Sequence, residues 1–439
     1  MKNNIRISSP DELIIYREFE KDSVFSRLTS LIKAEFKGRA DVMSAESIKV
    51  YCGCVADMAA AAERAGIAGS IWRTWLALLL AGAENAFTLT HERRKIWDGT
   101  MQLLAASDFD ILYSYLSCNF RVLEKKMGID FGGCIADFVP SDEKTANPSL
   151  KELAEDLAKA SCGAHIMAAA ERFYEKYGCG AFALNCGFRW DTHERRLVPA
   201  LPLEDIKLSD IIGYEEQKKT VTDNTEAFLE GRPANNVLLY GEGGTGKSST
   251  IKALLNEYAS RGLRMIEVYK HQISDLETIL DAVKRRNYKF ILLMDDLSFE
   301  PSEVEYKFLK AFIEGGLEQR PDNVLIYATS NRRHIIKETW GDRADKDDDM
   351  HESETMQEKM SLVDRFGILV RYISPEQKEY LHIARTLAAE YGVEADSEEF
   401  ELGAIRWELK HGGFSGRSAK QYVEYLAGHK IMQKEAKNS

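Results

Sequence analysis

The chain has 439 residues, which is long enough for two or three domains, each with its own core. Its apolar fraction of 44% and charged fraction of 29% are typical of an ordinary soluble globular protein. The formal net charge of -12 argues against a protein that coats nucleic acid over its whole surface, although local basic patches are compatible with it.

The apolar runs of the chain bear on its location. The amino terminus, MKNNIRISSPDELIIY, has no uninterrupted apolar stretch of the kind that signal peptides carry. The most apolar run, residues 75–83, is shorter than a bilayer requires and is typical of a buried helix. We therefore expect a cytoplasmic protein that does not associate with membranes.

The cysteine pattern predicts free thiols. All 7 cysteines lie before residue 187, and no two of them form a CxxC pair. An odd number without such a pair argues against a disulfide framework and against a zinc ribbon. We expect buried free thiols.

The amino-terminal third of the chain has helical periodicity. In residues 1–135, apolar positions recur at helical spacing and proline is nearly absent, which predicts an all-α N-terminal region. Residues 136–200 begin with loop-like sequence and then contain one predicted helix, at 149–177, and a short extended segment, at 177–190. We interpret them as a linker.

Strands and helices alternate after Pro202, which is typical of a parallel sheet. Residues 201–373 are predicted to form an α/β nucleotide-binding core with a five-stranded parallel sheet. From Pro375 onward the pattern is helical, so residues 374–439 are predicted to form a C-terminal helical lid. The predicted strands are 236–240, 265–269, 290–295, 324–329 and 368–373.

The first predicted strand is followed by the letters GEGGTGKS at residues 241–248. They match the P-loop pattern, in which glycines let backbone N–H groups turn toward phosphates and the next helix attracts negative charge through its N-terminus. Lys247 is expected to reach the β- and γ-phosphates of ATP, and Ser248 is expected to bind Mg²⁺. The predicted ATP-binding segment is Gly241, Glu242, Gly243, Gly244, Thr245, Gly246, Lys247, Ser248 and Ser249.

The same segment also satisfies the dinucleotide-binding pattern G-x-G-x-x-G. Gly241, Gly243 and Gly246 occupy its glycine positions, and Glu267 stands where a ribose-binding acid belongs. That pattern does not require Lys-Ser at 247–248, and it does not account for the acidic residues after a later strand. The P-loop is therefore the favoured interpretation.

Two aspartates follow the apolar run FILLM. Because side chains alternate along a strand, Asp295 and Asp296 are expected to point to opposite sides and to have different roles. The first acid after such a strand normally holds Mg²⁺ through water, so we assign that role to Asp295. Asp296 is our candidate for the base that polarises the attacking water, with a strand-end cap as the alternative. Glu300 has a longer reach and competes for the same role.

Other polar residues follow or precede the later strands. Asn331 ends VLIYATSN, where an amide can orient the lytic water without adding charge, although such a residue is usually part of a turn. Arg365 precedes the fifth predicted strand, and Arg417 opens the last helix. In a P-loop ATPase the γ-phosphate requires additional cations in the transition state, supplied by the same chain or by a neighbour.

The order of these motifs resembles the AAA+ ATPase superfamily. The resemblance runs through IIGYEEQKK, GEGGTGKSS, FILLMDD, VLIYATSN, DRFG and SGRSAKQ, from about residue 201 to residue 430. The phrases NNVLLYGEGGTGKSS, DDLSFE, IYATSNRRH and DRFG are similar to a bacterial AAA+ family catalogued only as a domain of unknown function. The resemblance implies an AAA+ fold, ATP and Mg²⁺ as cofactors, ATP hydrolysis, and assembly into an oligomer.

The resemblance also implies roles for individual residues. Ile212 and Gly213 border the adenine, and Asn331 is the first sensor of the γ-phosphate. Arg365 is the finger that reaches a neighbour's nucleotide, and Arg417 is the second sensor in the lid.

Two departures from the superfamily pattern narrow the function. Many AAA+ proteins have Asp-Glu where this chain has Asp295-Asp296, so hydrolysis is expected to be slow or to depend on Glu300. The sequence after the second strand, Tyr269-Lys-His-Gln, differs from the aromatic–apolar–glycine pore loop of unfoldases, which argues against threading of polypeptides.

The sequence thus predicts an AAA+ ATPase that couples Mg-ATP binding and hydrolysis to conformational change in a homo-oligomer. The helical N-terminal region is expected to recognise an unidentified protein or nucleoprotein client. The alternative is a nucleotide-gated adaptor or loader for a DNA-associated partner, with little turnover. A small-molecule kinase is disfavoured because it does not require the sensor Asn331, the arginine Arg365 and a helical lid in this order.

Overall fold

The computed structural model describes residues 9–36, 44–93, 99–142, 147–299, 303–314, 321–331 and 362–438. The chain divides into two compact units, Met1–Asn185 and Cys186–Ser439, which we call the helical unit and the α/β unit. None of the described helices is long and apolar enough to cross a membrane.

The helical unit has the periodicity that its sequence predicts. Ser44 begins α2 by accepting the N–H of Ser47, and Asn147 caps α7 in the same way. The apolar run at 75–83 lies in α3, where Leu76 and Leu80 are fully buried. The helices are α1 Ser23–Phe36, α2 Ala45–Ala65, α3 Ile71–Gly82, α4 Ala86–Glu92, α5 Thr100–Leu116, α6 Phe120–Met127, α7 Pro148–Lys159, α8 Gly163–Tyr177 and α9 Ala181–Leu184.

The helix predicted over 149–177 is two helices, α7 and α8, and both pack into the core of the helical unit. Leu150 and Phe173 belong to the same apolar cluster as Trp72. The backbone leaves helical geometry at the end of α7, and α8 begins at Gly163, where a Cβ atom would lie 2.7 Å from the backbone of Asp110 in α5. This close approach of α8 to α5 is a long-range contact, which helical periodicity does not reveal.

A buried carboxylate organises the start of the described chain. Asp108 is fully buried in α5, and its oxygens accept the backbone N–H groups of Ile14 (2.9 Å), Ile15 (2.7 Å) and Tyr16 (2.9 Å). A buried carboxylate is tolerated when hydrogen bonds replace its water, so these donors account for its burial.

All seven cysteines lie within the described residues and none of them forms a disulfide, as predicted. Only Cys54 and Cys179 are buried, whereas Cys134 is exposed and the others are partly buried. The prediction that the thiols are buried is therefore wrong for most of them.

The α/β unit is built on a mostly parallel sheet. Within the described residues the sheet has seven strands in the order β2-β1-β4-β5-β6-β3-β7. Every neighbouring pair is parallel except β1 with β2. The strands are β1 Gly187–Asp191, β2 Arg196–Pro199, β3 Val237–Gly241, β4 Leu263–Glu267, β5 Lys289–Met294, β6 Val324–Ser330 and β7 Ile368–Tyr372.

The five predicted strands are present, but the prediction of a five-stranded sheet is wrong. Residues 187–199, which we predicted as part of a linker, add β1 and β2. Phe188 pairs with Ile266 of β4, and Trp190 pairs with Leu197 of β2. The extended character of this segment is local, but its partner strand lies far along the chain, so the pairing could not be predicted from local pattern.

Strand order brings three loops together. β3 lies between β6 and β7, and β6 lies between β3 and β5. Because these strands are parallel, the segments after β3, β5 and β6 leave the sheet at the same edge. The P-loop, the aspartate pair and Asn331 are therefore neighbours.

Helices cover the sheet and form a separate cluster at the carboxyl end of the chain. Val221, Ile251 and Leu254 pack against sheet residues such as Leu239 and Leu293. The last three helices enclose their own apolar cluster. They lie in the segment that we predicted as a lid, and we call them the lid helices, or the lid. The helices of this unit are α10 Glu215–Leu229, α11 Lys247–Tyr258, α12 Leu276–Val283, α13 Glu305–Glu314, α14 Gln377–Glu390, α15 Glu398–His411 and α16 Gly416–Asn438.

Candidate functional site

The segment from the end of β3 to α11 contains positions that require glycine, of which Gly241 and Gly244 are two. At Gly241 the φ angle is +136°, and a Cβ atom would lie 1.8 Å from the carbonyl oxygen of Tyr372 in β7. At Gly244 the φ angle is +76°, a conformation that residues with a Cβ rarely adopt. The strand–loop–helix context that a P-loop demands is present.

Lys247 lies inside this loop. Its Nζ donates to the carbonyl oxygens of Gly241 (3.0 Å) and Glu242 (2.6 Å), and the residue is 5% exposed. Burial lowers the pKa of Lys247, while the nearby Asp296 and Asp295 carboxylates oppose this shift. Among the described residues the hydrogen-bond acceptors of this ammonium are neutral carbonyls, and a buried ammonium favours an anion, so the loop can attract a phosphate group.

Ser248 and Asp295 form a pair suited to a metal ion. The Ser248 hydroxyl donates to Oδ1 of Asp295, and the Thr329 hydroxyl donates to the same oxygen at 2.6 Å. Because the hydrogen of Ser248 is directed to the carboxylate, the lone pairs of its oxygen remain for a cation. Hydroxyl and carboxylate oxygens are ligands that Mg²⁺ prefers, so the residues present fit Mg²⁺ bound together with phosphate.

Strand alternation predicts that Asp296 points away from Asp295, and this prediction is wrong. β5 ends at Met294, and the backbone of Asp296 is left-handed, with a φ angle of +52°. Alternation therefore stops before the aspartate pair, and both aspartates line the same cavity. Asn331 contacts this second acid: its Nδ2 donates to Oδ1 of Asp296 at 2.8 Å.

The cavity that contains these groups has a volume of about 650 Å³, within the range of small-molecule sites. Its lining includes the loop residues 243–249, the two aspartates and Asn331. It also includes the apolar and aromatic residues Ile211, Ile212, Tyr214, Ile383 and Leu387, and the acidic residues Asp205, Asp210 and Glu390. The loop attracts phosphate, and the apolar lining residues form what we call the apolar slot. Together they suit the phosphates and the base of a nucleotide.

The lid closes one side of this cavity. Arg417, at the start of α16, donates its backbone N–H to the carbonyl oxygen of Gly244 at 3.2 Å. A Cβ atom on Gly244 would lie 3.0 Å from the Cβ of Arg417 and from Oγ of Ser415. Arg417 and Lys420 both line the cavity, so the lid adds two cations to its lining.

The family described as "Protein of unknown function (DUF815)" matches residues 184–430, which is more than half of the chain. The chain belongs to the DUF815 family. The predicted similarity to a family catalogued only as being of unknown function is confirmed.

This DUF815 chain is also similar to two curated proteins. It is 32% identical over 101 residues to the replication factor C large subunit of Aeropyrum pernix, covering 21% of this chain and 20% of that protein. The corresponding subunit of Staphylothermus marinus is 33% identical over 75 residues, covering 17% of each chain. The DUF815 chain thus spans about a fifth of the length of the curated relatives it matches.

Two solved structures are similar to part of the DUF815 chain, at low identity and low TM-score. The RuvB Holliday junction branch migration motor of Thermotoga maritima has a TM-score of 0.36 and 18% identity, covering 51% of the DUF815 chain and 64% of RuvB. A DNA replication initiation factor has a TM-score of 0.33 and 20% identity, covering 53% of the DUF815 chain and 68% of that chain.

Most of the predicted site residues lie in one place in the DUF815 chain. Residues 243–249, Ile212, Asp295, Asp296, Asn331 and Arg417 all line the cavity. Gly241 and Glu242 come directly before the lining residues of the loop and are not among them. The Glu242 carboxylate accepts the hydroxyl of Ser374. Gly213 lies between the lining residues Ile212 and Tyr214. Glu300 lies outside the described residues.

The structure separates Arg365 and Glu267 from the cavity. Arg365 is exposed and precedes β7, whose other end pairs with Gly241. The two ends of this five-residue strand are about 13 Å apart. Glu267 forms an ion pair with Arg189 of β1 at 3.0 Å, and it is not among the lining residues. Glu267 therefore does not lie where it could bind a ribose in this cavity, which argues against the dinucleotide interpretation.

Sequence reasoning missed several lining residues. Thr329 stands two residues before Asn331, which directly follows β6, so strand alternation continued by one residue could have indicated that both face the same side. Ile383 and Leu387 are four residues apart on α14, and their helical spacing marks one apolar face. Tyr214 and Lys420 carry no comparable signal, because only the packed unit brings them to the cavity.

Proposed function

We propose that this protein binds Mg-ATP in the cavity between its P-loop and lid and hydrolyses it. The observation that carries the proposal is the convergence of Lys247, the Ser248–Asp295 pair and the Asp296–Asn331 pair on one cavity. A site that only stored a nucleotide would not need a carboxylate and an amide bonded to each other beside the metal-binding pair.

The proposed roles follow from the contacts of each side chain. The Lys247 ammonium exchanges its two carbonyl partners for phosphate oxygens. Asp295 holds the metal, through its waters, together with the Ser248 hydroxyl. Asp296 accepts a proton from the attacking water, and Asn331 orients both. When bound, Mg²⁺ neutralises charge on the β- and γ-phosphates.

Hydrolysis is proposed to move the lid. Arg417 touches the P-loop through its backbone and lines the phosphate end of the cavity with its side chain. Loss of the γ-phosphate removes the negative charge that attracts this guanidinium, so the lid gains freedom to open. A change of nucleotide state can in this way become a change in the position of α16.

Arg365 is proposed to complete the site of a neighbouring subunit. Its position at the amino end of β7, away from the P-loop of its own chain, supports action in an oligomer. The test mixes two variants, Arg365→Ala and Lys247→Ala, each expected to be inactive alone. The mixture should regain phosphate release, since one variant supplies an intact P-loop and the other an intact Arg365. A mixture as inactive as its components would contradict a shared site.

The client of this activity is proposed to contact the helical unit. The second candidate function is a nucleotide-gated adaptor or loader for a DNA-associated partner, in which occupancy matters more than turnover. The short Asp296 in place of the longer glutamate favours slow turnover, and the matched relatives include replication factor C large subunits. Salt-dependent DNA binding by the Mg-ATP form would favour the loader.

The central test is Mg²⁺-dependent phosphate release from ATP. Lys247→Ala is expected to abolish both nucleotide binding and turnover. The matched control is Lys252→Ala on the same helix, which removes an ion pair with Glu204 (2.8 Å) and should leave turnover unchanged. Full turnover in Lys247→Ala would refute the site, whereas nucleotide binding without turnover in the wild type would favour the loader. A pull-down with Asp296→Asn and ATP then identifies the client.

A further inference from the structure

Thr329, near the end of β6, bonds to three consecutive residues after β5. Its hydroxyl donates to Oδ1 of Asp295 at 2.6 Å and accepts the backbone N–H of Asp296 at 2.9 Å. Its carbonyl oxygen accepts the N–H of Leu297 at 2.7 Å. The residue is 2% exposed, so water does not compete effectively for these bonds.

We propose that Thr329 is a positioning residue that holds the turn after β5, so that both acidic side chains face the bound Mg-ATP. The proposal deepens the proposed function and rests on it. It also accounts for the failure of strand alternation to predict the direction of Asp296.

The backbone argument starts from the conformation of Asp296. A continued strand would send Asp295 and Asp296 to opposite faces, but the φ angle of +52° at Asp296 reverses the chain. Left-handed backbone is unfavourable for residues other than glycine, and Asp and Asn tolerate it best. The bonds from Thr329 to the N–H groups of Asp296 and Leu297 offset this strain. They replace the ladder bonds that end with β5.

The side-chain argument concerns Asp295. Its Oδ1 receives hydrogens from two hydroxyls, Ser248 and Thr329, which orients the carboxylate plane. Its second oxygen then remains for the metal and its waters. Partners of a metal-binding carboxylate contribute to metal affinity without touching the ion, so Thr329 should act on Mg²⁺ through Asp295.

The residue type suits this role. A threonine on a strand has restricted χ1 rotation, so its hydroxyl direction is held more firmly than that of serine. Thr329 lies in β6 and bonds to Asp295, whereas Asn331 directly follows β6 and bonds to Asp296. The carboxyl end of one strand and the residue after it therefore contact both acids.

The test compares three variants in the full-length protein. Thr329→Val keeps the shape and removes the hydroxyl, and Thr329→Ser keeps the hydroxyl. Thr225→Val is the control, because Thr225 is also fully buried and its hydroxyl bonds to Val221 and Tyr327 instead. Two quantities are measured: the gain in affinity for a fluorescent ATP analogue on replacing EDTA by Mg²⁺, and kcat with KM for phosphate release.

Thr329→Val is expected to lose about 10-fold or more of the Mg²⁺-dependent gain and of kcat, with affinity in EDTA unchanged. Thr329→Ser should recover most of both losses, and Thr225→Val should change neither. In an Asp295→Asn background, Thr329→Val should cause no further loss of the Mg²⁺-dependent gain. A wild-type gain and kcat in Thr329→Val, or an equal loss in Thr225→Val, would overturn the proposal.

Failure of the proposed function gives a different result. If the wild-type protein binds Mg-ATP but releases no phosphate, hydrolysis fails, and the Mg²⁺-dependent affinity still tests Thr329. If circular dichroism shows that Thr329→Val does not fold, Thr329→Cys replaces it, since it has similar size and a weak donor. The expected loss then lies between those of Val and Ser, and wild-type values would again overturn the proposal.

Discussion

The substitution Asp296→Asn tests the proposed general base without disturbing the turn that holds it. Asn matches Asp in shape and tolerates left-handed backbone as well as Asp does. Its amide oxygen can still accept the hydrogen bond from Nδ2 of Asn331 (2.8 Å), and the backbone bond to Thr329 (2.9 Å) is unchanged. The turn after β5 should therefore persist while the proton acceptor is lost.

The magnitude follows from these two effects. A positioned general base contributes about 10²–10⁴-fold to a reaction, so turnover should fall by that factor. This corresponds to about 2.7–5.5 kcal/mol in the activation free energy. The free energy of unfolding should change by less than about 0.5 kcal/mol, because no buried contact is removed. Asp296→Ala should in addition lose about 1 kcal/mol of stability, since alanine lacks the polar group that tolerates left-handed backbone.

The assay combines phosphate release at saturating Mg-ATP, affinity for a fluorescent nucleotide, and urea unfolding of the same samples. Asp296→Asn should bind nucleotide normally, unfold normally and release phosphate slowly. Near-wild-type turnover in Asp296→Asn together with loss of turnover in Glu300→Gln would refute the assignment and transfer the role to Glu300.

Three further predictions concern the loop, the lid and the helical unit. Burial lowers the pKa of Lys247, so the ammonium costs stability at neutral pH, and this cost disappears as the pH rises toward the ordinary pKa of lysine. Lys247→Met should therefore make the nucleotide-free protein at least as stable as wild type at neutral pH in urea titrations, with the difference closing at alkaline pH. Gly244→Ala should weaken nucleotide affinity by about 10-fold, because its φ angle is +76° and its Cβ would crowd Arg417. Gly262→Ala has the same kind of φ angle (+91°) with nothing within 4 Å, so it should spare affinity when both are titrated with nucleotide. Asp108→Asn should lower the free energy of unfolding by about 2–4 kcal/mol in urea titrations, because three backbone N–H groups lose a charged acceptor, while nucleotide affinity stays unchanged.

The features that could be predicted from sequence are those whose signal is local. GEGGTGKS carries its own backbone requirement, because glycines at 241 and 244 allow angles that other residues rarely adopt. Buried parallel strands appear as short apolar runs, so the strands now labelled β3 to β7 could be located to within a few residues. Asp295 and Asn331 follow such runs, which explains why their convergence at one sheet edge could be anticipated.

Tertiary structure decided the features that depend on distant partners. The pairing of β1 with β4 joins segments about 80 residues apart. For this reason the sequence did not reveal that the end of the predicted linker belongs to the sheet. The direction of Asp296 depends on bonds from Thr329, which lies on another strand. The apolar slot depends on Ile383 and Leu387 of the lid meeting Ile212. Sequence by itself thus determined which groups reach the cavity edge, and long-range hydrogen bonds and packing decided how they face one another.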